Sequence, residues 1–151
     1  MQIEQRMQLL WGEDEKEAYE QLLELEKISE TSEEVYSYFD DFIEMLKNEK
    51  SYIRIRGFRL ICKNAKWDEE NRINRQIGKI LEELEDEKPT AVRQCLQAIK
   101  ELIENKKECN DLIKEKLLKI NYARYKESMQ SLIFKDVEKA LLLIEKSMKK
   151  D

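Results

Sequence analysis

Ser51-Tyr52-Ile53-Arg54-Ile55-Arg56-Gly57-Phe58-Arg59-Leu60-Ile61-Cys62 is the stretch whose reading decides the fold. Its apolar residues, continued at Ala65, recur at helical spacing but cover more than one stripe, so the helix they predict is flanked by neighbours on both sides. Ser51 is its expected N-cap. The pair Ile55-Arg56 returns 37 residues later as Val92-Arg93, in a second predicted helix. Each pair follows a turn, Glu49-Lys50-Ser51 in one case and Glu85-Asp86-Glu87-Lys88-Pro89 in the other. Each is followed at the same offset by an apolar pair, Ile61-Cys62 and Ala98-Ile99.

The helices between and after these two also correspond. Ile73, Ile77 and Ile80 align with Ile113, Leu117 and Ile120 at a displacement of 40 residues. A helix pair repeating at that period predicts an α-solenoid, an all-α superhelix of about seven to eight antiparallel helices. Outward from the centre, Ala18, Leu22, Leu25 and Ile28 mark a helix over about 14–28. Ser32 is the expected cap of the next, which carries Val35, Phe39, Phe42, Ile43 and Leu46. Asp68 caps the helix of Ile73, and Pro89 opens that of Val92, where the missing N–H costs nothing. Residues 122–148 read as one long helix or as two; the favoured reading breaks at Lys135-Asp136, with Asp136 as N-cap.

The apolar-Arg pairs near the start of alternate helices resemble the HEAT-repeat and armadillo-like family, best over residues 51–121. The resemblance implies a single domain over 1–151, with two central helix pairs at 51–121 and capping helices at 1–50 and 122–151. It also implies a surface that binds other macromolecules, without indicating which.

Composition excludes much chemistry. Charged residues make up 40% of the chain and Gly and Pro number 3 and 1, a mixture that favours helices. There is no His, which removes Ser-His-Asp and Cys-His catalysis and His-based zinc sites. The three glycines stand too far apart for a phosphate loop. Cys62, Cys95 and Cys109 form no CxxC pair, and no run of apolar residues suggests a membrane span. The expectation is a noncatalytic cytoplasmic chain with no cofactor, no metal and no membrane partner.

The charge is unevenly distributed. Residues 1–50 hold 15 acidic and 5 basic side chains, whereas 51–84 hold 5 acidic and 8 basic. Arg56, Arg59, Lys63 and Lys66 fall on one helix stripe, and Arg72, Arg75 and Lys79 on another. The candidate binding residues are therefore Arg54, Arg56, Arg59, Lys63, Arg72, Arg75, Arg93 and Gln94, on a concave face that grips a protein partner through arginine forks. One alternative is that the stripes bind a nucleic-acid backbone, as HEAT-like DNA glycosylases do, against which stand the net charge of −5 and pI of about 5.1. Another is a homo-oligomer joining acidic and basic regions. In the connection before the second repeat, Arg93 is expected to bond back to loop carbonyls or to Asp86.

Overall fold

The computed structural model describes residues 1–149, and every regular element among them is helical. The helices are α1 (Ile3–Leu9), α2 (Glu15–Thr31), α3 (Phe39–Leu46), α4 (Ser51–Lys63), α5 (Arg72–Leu81), α6 (Pro89–Ala98), α7 (Lys100–Asn105), α8 (Asn110–Leu118) and α9 (Glu127–Lys149). Helical hydrogen bonds run on through Ile99, which donates to Cys95 O and accepts from Ile103 N–H. α6 and α7 are thus the two halves of one bent helix, leaving eight helical rods among the described residues.

Local chemistry explains most boundaries. Asp14 caps α2 by accepting from Glu17 N at 3.1 Å, with Glu15 and Glu17 favouring the positive end of the helix. Pro89 occupies the first turn of α6 as expected. Asp68 caps α5 from an unusual position: its two carboxylate oxygens accept from Arg72 N and Ile73 N, while Asn71 supplies the N-cap backbone in the left-handed region at φ 59°. Ser32 does less than expected. It accepts from Glu34 N in a tight turn, and a 3₁₀ turn at Val35–Tyr38 intervenes before α3.

The start of the chain adds a helix, and its far end corrects an expectation. The first residues are helical: Gln2 and Gln5 form a reciprocal cap for α1, which buries Met7. At the other end α9 runs unbroken through Lys135-Asp136. The interruption falls earlier, at the 3₁₀ turn Tyr122–Arg124, and Asp136 is buried mid-helix facing Arg93.

Packing follows from α4, which is covered on three sides. It lies against α2, α3 and α6, as its broad apolar surface predicts, and α6 in turn lies against α9. α3 approaches α4 closely because position 57 has no side chain: a Cβ on Gly57 would stand 2.8 Å from both Met45 Cβ and Phe42 O. Phe39, Phe42, Phe58, Leu60, Ile61, Ile73, Ile80, Val92, Ile99, Ile103, Ile113 and Ile133 belong to one continuous core. Each large side chain so buried contributes about 1.5–3 kcal/mol relative to exposure.

Polar ties cross this core between segments 32–39 residues apart. Tyr36 OH donates to Asp68 Oδ1, Trp67 Nε1 to Ser29 O at 2.7 Å, Lys106 Nζ to Asp68 O at 2.8 Å, and Tyr125 OH to Asp86 O. Trp67 thus covers the end of α2, and Tyr125 is part of the core. All three cysteines, Cys62, Cys95 and Cys109, are buried.

Candidate functional site: a charged groove across α2, α4 and α6

Arg59 and Lys63 stand one turn apart on α4 and reach sideways to both neighbours. Arg59 grips Glu26 of α2 with two bonds, Nε to Oε2 at 3.1 Å and Nη2 to Oε1 at 2.8 Å, and its Nη1 donates to Gln94 Oε1 of α6 at 3.2 Å. Lys63 Nζ lies 2.9 Å from Glu101 of α7 and 3.5 Å from Glu30 of α2. The half-exposed ring of Tyr19 stands beside the Arg59 guanidinium, 5.8 Å from its centroid.

These side chains line two adjoining cavities of about 530 and 450 Å³ that share Tyr19 and Gln94. The first is polar, walled by Glu26, Arg59, Lys63 and Glu101. The second is floored by Leu22 and Ile55 and ends at Tyr52 and Arg56. Together they form a continuous groove across α2, α4 and α6. Arg56 closes one end of it: its Nη1 donates to Leu10 O at 2.7 Å and Gly12 O at 3.0 Å, and the guanidinium stacks 4.9 Å from the Tyr52 ring. Burial pulls the Arg56 pKa down from its ordinary value.

The remaining candidates lie elsewhere. Arg54 is on the other side of α4, where it donates to Glu83, to Asp86 and to the carbonyls of Asn48 and Glu49. Arg72 pairs with Asp40, and Arg75 Nη1 donates to Glu70 O at 2.9 Å; both line a separate cavity against α3. The two basic stripes therefore do not merge. Arg93 pairs with Asp136 of α9 at 2.8 Å, and the Asp86 contact expected of it is made by Arg54 and, through the Asp86 backbone carbonyl, Tyr125.

Sequence reasoning missed Tyr19, Tyr52, Glu26 and Glu101. Glu26 and Glu101 meet α4 over separations of 33 and 38 residues, which local spacing does not carry. Tyr19 did leave a signal, as an aromatic residue off the apolar stripe of Ala18, Leu22 and Leu25.

No family model, curated protein or solved structure matches the chain. Among the described residues no group of carboxylates or thiols is arranged to hold a metal, and no helix is long and apolar enough to cross a membrane.

Proposed function

We propose that the chain is a noncatalytic protein-binding module that takes an extended segment of a partner into the groove across α2, α4 and α6. The observation that carries this reading is the lining of that groove. Exposed Tyr19 and the Arg59 fork stand over a floor of Leu22 and Ile55, with Gln94 and Gln97 along one wall. Tyr and Arg dominate binding energy where they are packed and desolvated, and side-chain amides hydrogen-bond to an extended backbone in either direction.

The balance of charge favours a peptide over a nucleic acid. Arg59 and Lys63 are already paired with Glu26, Glu30 and Glu101. A phosphate backbone would have to displace these carboxylates and would then lie against them. A peptide of mixed charge exchanges one ion pair for another.

An α-solenoid of HEAT-like helix pairs is the architecture that fits this role. In its favour are the succession α2, α4, α6 and α9, each packed on the next, and polar ties that join segments one repeat period apart. In such an array the groove is the surface shared by consecutive units.

Affinity capture with the wild-type chain and a Tyr19→Ala/Gln97→Ala variant tests the reading. Both positions line the groove without carrying an ion pair, so helicity by circular dichroism should be unchanged. Partners crosslinked to the groove of the wild type should be lost from the variant. An unchanged set of partners overturns the proposal, as does anisotropy of labelled DNA showing salt-dependent binding near 50 mM salt.

A further inference from the structure

Glu83 is a buried carboxylate with one oxygen unused. It sits on the 3₁₀ turn Glu82–Glu85 that closes α5, and its side chain is 7% exposed. Oε1 accepts from Arg54 Nε at 2.8 Å, while Oε2 is buried and has no hydrogen-bond partner. A buried acceptor without a donor destabilises the fold, and more so when it is charged.

This carboxylate forms part of the wall of a cavity of about 650 Å³ between the start of α4 and the α5–α6 connection. Six carboxylates and four cationic side chains line it. Three of the four cations are already engaged, and Lys88 makes no side-chain hydrogen bond or ion pair among the described residues. Arg54 is held by Glu83, Asp86 and two carbonyls, Lys50 pairs with Glu13 at 2.8 Å, and Arg124 donates to Glu85 O at 2.6 Å. At the rim, Glu49 and Glu87 make no side-chain hydrogen bond or ion pair among the described residues. Glu82 and Glu85 face Lys79 and Lys116 outside the cavity, and six carboxylates against four cations leave the lining formally negative. No three of its carboxylates converge as a metal would need, so the occupant that fits carries its own N–H donors.

We propose that this cavity binds an alkylammonium group, which donates to Glu83 Oε2 and is neutralised by Glu49 and Glu87. One N–H supplies the missing donor to the buried oxygen, reached by rotation of the Glu83 side chain. The remaining N–H groups face the rim carboxylates, and the methylene stem lies against the Tyr52 ring, which the cavity shares with the end of the groove. A free diamine and a lysine side chain present this same chemistry. The inference stands apart from the groove reading, because none of its acidic residues lines the groove.

Amide NMR of the full chain at about pH 8, above the value of about 7 to which burial raises the Glu83 carboxyl, tests the proposal. The chain is titrated with putrescine or with lysine blocked at both termini; blocked norleucine is the uncharged control. Saturable shifts confined to residues 49–54 and 82–88, absent with norleucine, are the expected result. Tighter binding of putrescine identifies a free amine as the source, and tighter binding of blocked lysine identifies a protein side chain. Glu83→Gln should weaken binding about ten-fold or more, since a charge-assisted bond is lost. The exposed rim variant Glu49→Gln/Glu87→Gln, whose fold is not at stake, should weaken it about three-fold. No shifts at millimolar probe, equal shifts with norleucine, or wild-type affinity in both variants would overturn it.

Discussion

Lys106 Nζ lies 2.9 Å from Asp68 Oδ2, with both side chains buried and a sequence separation of 38 residues. The same ammonium donates to Asp68 O and to Asn71 Oδ1, each at 2.8 Å. It therefore holds in place the left-handed backbone at Asn71 from which α5 starts. Asp68 also accepts from Tyr36 OH and from two backbone N–H groups of α5, so one carboxylate joins the turn before α3, the start of α5 and the end of α7.

Breaking this buried pair from either side should be costly, and unequally so. Lys106→Met leaves Asp68 with three donors, whereas Asp68→Ala takes the counter-charge from a buried ammonium and uncaps α5. Urea denaturation should show losses of about 3–5 kcal/mol, with Asp68→Ala at the upper end. The double variant should lose less than the two single losses combined, as coupled groups do.

Gly57 and Gly78 should respond in opposite ways to the same substitution. Gly57→Ala places a methyl 2.8 Å from Met45 Cβ and Phe42 O, between two helices in close contact. Relief requires α3 and α4 to separate, and the expected cost is about 1–3 kcal/mol. Gly78→Ala, within α5 and with nothing within 4 Å of the added atom, should stabilise by about 0.5–1 kcal/mol through helix propensity. Thermal melts of the two variants check both signs.

The cysteines should be inert in the native state. Burial pushes the thiols of Cys62, Cys95 and Cys109 up from their ordinary value, so little thiolate forms at neutral pH. A thiol reagent such as Ellman's should therefore react with none of them before the chain opens. Mass spectrometry of partly modified protein should find Cys109 first, because it sits in the short turn Lys107–Cys109 whereas the other two lie inside helices.

How much of this was legible in the sequence depends on the range of each interaction. The apolar stripes of α2, α4, α5 and α6 could be read because helical burial repeats every three to four residues. Asp68 as a cap and Pro89 as a helix start were legible because their chemistry is local. Asp136 was misread for the same reason: beside Lys135 it looks like an N-cap, and only Arg93, 43 residues earlier, turns it into a buried mid-helix partner. Spacing correctly put Arg59 and Lys63 on one face. It could not say that Glu26 and Glu101 neutralise them, nor that Arg54, rather than Arg93, would fasten Asp86. Lys106 gave no signal, since one lysine among many charged residues reads as a solvated surface until the chain folds around it.

Stability should fall as pH rises from about 5 to about 7, and Glu83 is the cause. Burial pushes its carboxyl up to about 7, Asp86 and Glu82 add to this, and Arg54 opposes it. Between the unfolded value near 4.5 and the folded value near 7, the native chain holds a proton that the unfolded chain has released. Raising pH through that window therefore favours unfolding. Asp68 acts at the acid end. Burial raises its carboxyl, but hydrogen bonds from Tyr36, Lys106 and Ile73 N–H together hold it below its usual value, so its contribution is lost as pH falls below the carboxylate range. Maximum stability is expected near pH 5, with a decline on the order of 1–2 kcal/mol by pH 8. Glu83→Gln keeps the shape and removes the titration, so urea midpoints of the variant should change little from pH 5 to pH 8 while those of the wild type fall. A wild-type midpoint that rises over this interval would mean that Glu83 is ionised throughout, held so by Arg54.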